Sequence, residues 1–515
     1  VNGSSQPPPR RIYSVFGVPP EIQAYAMAKY SRSSQGMLES IGELSQERAE
    51  QFLRTFYFDY GHRSIADLAH LVFALEQVSI LAAIEIVDEQ LWDGQERSTR
   101  YQPFRKTGWY VPDSVRESPL FETYQQTAQG LFAIYQDLAA ELLERLVASV
   151  PRPDSLPDAA FRRTLRARAF DVARGLLPLA THTSVGQVVS ARTLERQISR
   201  LLASPHAEIR SIGAELREAC ERPAEAPLLE RIVQSANGDG LAGAEDLLRP
   251  PAAPTLVRYT APAAFRSTVD AELDQAARTY LARLSAPDRT HAVELAAPAP
   301  PRAELAATLL YAHDREGHSY QQVQRVVDDL TEVELNELVD LSLRARGPHD
   351  DLLREHQVGY GLVFDVLVDL GSFRDLHRHR RCVQVRQPYT WAHAFEPVED
   401  VFRAGLGDEV ALGALEGGLG ETYADTLLRA EQAAASLDAL NGTYLLPLAY
   451  RTRCLFKMDW AEVAYLIEQR TAPAGHFSYR RIAWAMHQAL RERDPKLAEP
   501  IRAQDPAQVF DLLIR

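Results

Sequence analysis

Cysteine is scarce. The 515 residues hold three, Cys220, Cys382 and Cys454, too few and too scattered for a disulfide framework or for a structural zinc site, whose ligands come in closely spaced pairs. Reduced thiols are expected, and none sits in an activated motif beside a base. Positive charge is also in deficit, with 56 Lys and Arg against 70 Asp and Glu and a net charge of −14. The overall field therefore repels polyanions, any anion site must be local, and general nucleic-acid binding is disfavoured. Long uninterrupted apolar runs are missing too. The longest stretch, near Leu68 to Val87, is broken by Glu76, Gln77 and Glu85, short of the roughly 18 apolar residues a membrane span needs, and reads as a buried helix. The first ten residues lack the apolar core of a signal peptide, so a cytoplasmic location is expected. No metal site is expected. What remains is an ordinary globular composition, 46% hydrophobic and 24% charged, with chain enough for about three domains at roughly 150 residues each.

The chain repeats itself. Pro19-Pro20 and a helical pattern ending at Tyr30 recur as Pro300-Pro301 and a helical pattern ending at Tyr311. Leu44-Ser45 recurs as Leu330-Thr331, and Leu176-Leu177-Pro178-Leu179-Ala180 returns intact as Leu445-Leu446-Pro447-Leu448-Ala449. These matches, in one order, divide the chain into a first copy over 11–220, a proline-rich linker over 221–289 and a second copy over 290–515. Within the linker, Leu273, Ala276, Ala277, Tyr280 and Leu281 fall at three- and four-residue steps, which predicts a short docked helix between Val269 and Leu284. In each copy Ser45 or Thr331 can N-cap an amphipathic helix that Gly61 or Gly347 ends, before a long apolar helix. Short strands are expected at Arg11 to Phe16, Gly108 to Val111 and Leu176 to Leu179. The fold class is α+β, two tandem helix-rich copies each with a small sheet.

Two polar stretches carry candidate chemistry. In the second copy His377-Arg378-His379-Arg380-Arg381 follows the apolar pattern Val363 to Leu370. Arginine offers a planar fork of donors matched to phosphate oxygens, and clustered arginines repel one another unless an anion sits between them. In the first copy Glu96, Ser98 and Arg100 alternate, so an extended backbone turns all three to one side and presents an acceptor, a hydroxyl and a guanidinium together. A solvated basic turn and an exposed polar strand are the simpler alternatives.

Together the stretches resemble the two ends of one signature, the R-H-R-x-x-S-x-N-E-x-S-x-R-Y of the flavin-dependent thymidylate synthases. The second copy keeps Arg378-His379-Arg380 but has Arg386, Pro388 and Thr390 where Glu, Ser and Arg belong. The first keeps Glu96, Ser98, Arg100 and Tyr101 but has Asp88-Glu89-Gln90 for R-H-R. Gly61-His62-Arg63-Ser64 is similar to the family's G-H-x-S/T flavin segment, with Asp67 near its usual carboxylate, where the second copy has Gly347-Pro348-His349-Asp350. Arg174 matches a substrate arginine that is Thr443 in the second copy. Arg192 and Glu208-Ile209-Arg210 are kept in the first copy, and Arg470 in the second, opposite Leu201 and Ala461. The losses are reciprocal. Departures common to both copies are Glu85 and Asp375, three residues before R-H-R where the family has Gln; Gln95, Asp93 and Ser190 also depart from the pattern.

The resemblance implies a homotetrameric family with active sites between subunits, and here a dimer forming a pseudo-tetramer of four copies. It implies reductive methylation of dUMP to dTMP, with methylenetetrahydrofolate giving the carbon, NADPH reducing FAD and no cysteine nucleophile. By the same resemblance Arg100, Arg174 and Arg378 go to the phosphate and pocket wall, Glu96 and Ser98 to sugar or base, and Arg470 to the uracil side. Arg470 and Ser98 are the catalytic candidates. Ser31, His62, Ser64, Arg192, Arg378, His379 and Arg380 go to the flavin. Replacing Arg470 or Arg100 with alanine is expected to weaken dUMP binding with the fold intact. In pockets built from the degraded ends Asp88 and Glu89 would meet an incoming phosphate, where like charges about 4 Å apart repel by roughly 4 kcal/mol at an effective dielectric of 20; these pockets are expected to stay empty. A catalytically silent flavin- or nucleotide-binding paralogue is the alternative, and RNA binding through His377 to Arg381 a third reading.

Overall fold

A computed structural model describes residues 17–30, 63–101, 104, 108–225, 251–347 and 350–514. The expected strand at Arg11 to Phe16, and Ser31, Ser45, Gly61, His62, Pro348 and His349, lie outside the described residues.

Helices Pro20–Tyr30 and Pro301–Ala312 stand where the repeated proline pairs predict them. Thr331 caps the helix Glu332–Leu341 through a reciprocal capping box with Glu334, the arrangement a Thr-x-x-Glu sequence favours. That helix stops at Leu341, short of Gly347. The linker helix spans Ala264–Leu281 and buries Val269, Leu273, Ala276, Ala277 and Leu281. It shares one apolar core with Tyr311, Tyr320 and Val323 of the second copy.

The long apolar stretches are not single helices. Leu68 to Val87 divides into strand β1 (His70–Ser79) and a helix, Ile80–Val87; the switch is at Ser79, whose hydroxyl accepts from Ala82 N at 3.0 Å. Strands β2 (Asp93–Glu96), β3 (His182–Ser190) and β4 (Val293–Leu295) follow along the chain. The second copy repeats the switch: strand β5 (Leu362–Asp369) leads into helix Leu370–Leu376, with Asp369 accepting from Ser372 N at 2.8 Å. A short continuous apolar run fits a buried strand as well as a helix. The β-branched Val363, Val366 and Val368 and the capping side chain decide for strand, then helix.

Strands β6 (Val383–Arg386) and β7 (Arg451–Met458) complete two sheets, ordered β1-β3-β2 and β4-β5-β7-β6. The second is antiparallel, with Leu362 opposite Met458 and Val383 opposite Lys457. Equivalent strands of the two copies stand in the same order, and β4 is an added edge.

The repeated L-L-P-L-A segments are not strands of either sheet: N–H groups of both reach the opposite copy, while the carbonyls of Leu179 and Leu448 accept from Leu81 N and Gly371 N of their own. Leu179 N donates to Leu446 O and Leu448 N to Leu177 O, both at 2.9 Å; Ala180 N donates to Tyr444 O and Ala449 N to Gly175 O. Each bond has its counterpart under exchange of the copies, so the segments form a two-fold seam centred on Pro178 and Pro447, an antiparallel bridge. Gly175 permits the approach, since a Cβ there would lie 2.0 Å from the Tyr423 hydroxyl. Gly108 to Val111 likewise yields one bridge, Trp109 to Thr181, rather than a strand.

The chain forms two compact units. The smaller takes the chain up to Phe73 with Gln187–Arg200 and Ile212–Thr260. In it the Glu21 carboxylate accepts from Thr255 N at 2.7 Å and Leu256 N at 2.6 Å, and the Gln187 and Gln197 amides pair at 3.0 Å. The larger comprises Ala74–Gly186, Leu201–Ser211 and Ala261–Arg515, and so holds most of both copies and the whole seam. Among the described residues no helix is long and apolar enough to cross a membrane.

Candidate functional site

Within the larger unit the two signature ends meet. Glu96 closes β2, and Arg174 follows helix Asp158–Ala173 at the entrance to the seam. Arg374 and Asp375 lie on the short helix capped by Asp369, immediately before the basic turn. Arg470 ends helix Trp460–Thr471, and Tyr479 lies in the first turn of Phe477–Arg493.

Arg374 forms a buried ion pair with Glu96, joining the copies. Arg174 donates through one terminal nitrogen to Thr99 Oγ1 at 3.4 Å and to Asp375 Oδ2 at 3.5 Å. Its other terminal nitrogen and Arg374 Nε are buried with no hydrogen-bond partner. Arg100 forks onto Asp171 at 2.9 and 3.3 Å and reaches the Tyr479 hydroxyl at 3.2 Å. Arg470 lies over the same ring, 5.4 Å from its centroid. Arg378, half exposed, stands 3.8 Å from Asp375, and Ser98 Oγ accepts from Arg100 N at 3.2 Å.

Burial alone would raise the Asp375 carboxyl, but Arg174, Arg378, Arg100 and Arg470 together outweigh it and hold the group below the usual carboxylate range. Burial works against the Arg100 charge as well, yet Asp171 and Tyr479 raise its guanidinium above the ordinary arginine value. Burial lowers His379 below its ordinary value despite the opposing effect of Glu462, so the ring is neutral at pH 7. Its Nε2 accepts from Arg470 Nε at 2.8 Å, which leaves the proton on Nδ1, 3.2 Å from Glu462 Oε1. Arg470 keeps its two terminal nitrogens free of hydrogen bonds within the described residues. Arg380 lies over Trp92, 4.3 Å from its ring, with Nε unpaired, and burial lowers it to about 10.

The pseudo-equivalent place built from the degraded ends is differently arranged. Asp88 pairs with Arg354 and lies 3.4 Å from His377 Nε2; Glu85 pairs with Arg386, the residue standing where Glu96 stands in the first copy. Arg354 also donates to the carbonyls of Asp88 at 2.9 Å and Gln384 at 3.3 Å. The carboxylates are therefore held in ion pairs rather than left to repel. Sequence reasoning missed this because Arg354 lies in no motif.

The remaining candidates belong to the smaller unit. Ser64 is exposed in the turn Arg63–Leu68, and Arg192 bonds Asp67 at 3.0 Å. Both partners are well exposed, and such pairs contribute about 0–1 kcal/mol. Asp171, Tyr479, Arg374 and Glu462 were not singled out from sequence. Asp171 had a signal, one helical turn before Arg174. It also bears on one expectation: Arg100→Ala would take the bidentate cation from a fully buried carboxylate, so it should destabilise the fold by about 1.5–3 kcal/mol, read as a lowered urea midpoint, whereas Arg470→Ala should leave the midpoint nearly unchanged.

The family model described as thymidylate synthase complementing protein matches this chain twice, over residues 18–225 and 301–496. The chain belongs to this family. The double match is that of a tandem-duplicated member, helix-rich and α+β. Relatives match along nearly the whole chain. A UPF0159 protein of Chlamydia muridarum is 25% identical over 94% of this chain and 90% of its own, and UPF0159 protein Ta1429 of Thermoplasma acidophilum is 25% identical over 93% and 94%. The solved structure of the UMP/dUMP methylase PolB from Streptomyces cacaoi, bound with 5-Br dUMP, aligns at 19% identity with a TM-score of 0.27, covering 39% of this chain and 86% of its own.

Proposed function

We propose that the chain is a flavin-dependent methylase of dUMP or a closely related pyrimidine nucleotide, working at a composite site to which each copy brings what the other has lost. The observation that carries this reading is a pair of buried guanidinium nitrogens, one from each copy, that have no acceptor: a terminal nitrogen of Arg174 and Nε of Arg374. Buried donors without partners are rare and cost about 1–3 kcal/mol each; a phosphate monoester would satisfy them.

In this reading Arg174, Arg378 and Arg100 hold the phosphate and wall the pocket, while Glu96 and the Ser98 hydroxyl meet the sugar or base. The Arg470 fork, turned by neutral His379, lies along the uracil ring and steadies charge that develops on it. The donor set also fits a flavin dinucleotide: Arg380, with an unpaired Nε and an apolar ring beneath it, suits a diphosphate, with His379 beside it. The flavin, when bound, supplies hydride; methylenetetrahydrofolate and NADPH are the expected co-substrates, and the protein contributes orientation and electrostatics. By the family resemblance Ser31, His62, Ser64 and Arg192 are assigned to a flavin, and the assembly is read as a dimer of two-copy chains in the cytoplasm.

Incubation with dUMP, methylenetetrahydrofolate, NADPH and FAD should yield dTMP, with chromatography as the readout. Flavin reduction without product would instead favour a silent nucleotide-binding paralogue. Titration calorimetry should give one dUMP per chain, since Asp88 and Glu85 already occupy the arginines of the pseudo-equivalent place; two per chain would contradict that arrangement.

A further inference from the structure

A carboxylate sits among the arginines assigned to the phosphate. Asp375 lies 3.5 Å from Arg174 and 3.8 Å from Arg378. Arg100 and Arg470 both contact Tyr479, one at its hydroxyl and one at its ring, and both act on the Asp375 charge. The site is thus not a cluster of bare cations awaiting an anion. It already contains one, fixed to the rigid helix that follows Asp369.

We propose that Asp375 is a built-in counter-ion that competes with the nucleotide's phosphate for Arg174 and Arg378, and so sets how weakly the site holds anionic ligands. The inference rests on the nucleotide reading above for its ligand, but its charge argument stands on the ion pairs alone. Two anions in one arginine cluster repel strongly in a partly desolvated site. A phosphate meeting the unpartnered terminal nitrogen of Arg174 shares one guanidinium with Asp375, which holds the other terminal nitrogen. The four guanidinium groups keep the carboxyl ionised, so mild acid does not relieve the competition. The functional consequence is release: a phosphorylated product leaves a site where a resident anion is ready to replace it.

The test compares the wild type with Asp375→Asn, which keeps the side-chain shape and removes the charge, and with Asp375→Gln as a second amide. Thermal melting checks that each folds. Two probes are titrated by calorimetry, inorganic phosphate and dUMP. The expected result is binding of both at least tenfold tighter in the amide variants, about 1.4 kcal/mol. Equal or weaker binding of both probes overturns the proposal. Weaker dUMP with unchanged phosphate also overturns it, because Asp375 would then be an acceptor for the sugar or base. Tighter phosphate with no dUMP binding by any form supports the counter-ion while removing the nucleotide reading.

Discussion

Arg174→Thr should weaken dUMP binding at least a hundredfold, about 2.8 kcal/mol, with the chain still folded. Threonine occupies the matching position of the second copy as Thr443, beside the same L-L-P-L-A seam, and is buried there at the end of the helix Ala439–Thr443. The backbone can therefore carry it. What disappears is the buried guanidinium joining Thr99 to Asp375, together with the terminal nitrogen that has no partner of its own. A hydrogen bond to a charged group contributes about 1.5–3 kcal/mol, and Asp375 would lose its chief counter-charge beside the proposed phosphate position. Both effects act against the ligand. Calorimetric titration decides: an affinity within threefold of the wild type would remove Arg174 from the site.

The largest loss of stability is expected at Arg453→Met. Arg453 on β7 is fully buried and bonds the equally buried Asp365 of β5 at 2.7 Å. Asp365 also accepts from the Tyr311 hydroxyl at 2.8 Å and Tyr320 N at 2.7 Å. Removing the cation leaves a charge in the core with only neutral donors, which costs about 3–5 kcal/mol. Urea denaturation followed by circular dichroism should show the loss. Adding Asp365→Asn should restore part of it, since the amide carries no charge to bury. A shift below about 1 kcal/mol in the single variant would show that the pair is not the anchor of that sheet. Because Arg453 lies outside the proposed site, the nucleotide affinity of the folded fraction should be unchanged.

How much could be read in advance depended on whether a property was local or relational. Repetition is local, and the proline pairs, the Thr331 cap and the linker helix stand in the fold as the spacing predicts. The reciprocal losses in the signature were visible too, because Glu96, Arg100 and Arg378 fall in recognisable motifs. The apolar runs misled because hydrophobicity does not distinguish a buried strand from a buried helix; the cue lay in one polar residue, Ser79 or Asp369, where the chain changes direction. Leu176 to Leu179 looked like a strand since its backbone does pair, but with its own repeat. Least legible were partners from unmarked sequence. Asp171 beneath Arg100, Tyr479 between two arginines and Arg354 on Asp88 each depend on the tertiary approach of segments no spacing connects.

The seam bears on why so much could be lost. Two free copies would have to find each other by diffusion, and any mutation weakening their encounter would dilute the paired state. Joined covalently, each half meets its sibling at an effective concentration of order millimolar, set by tether length rather than by expression level. Association then stops limiting which changes are tolerated. A gene carrying both halves always delivers them in equal amounts, so neither is under pressure to remain self-sufficient, and division of labour can proceed until neither works alone.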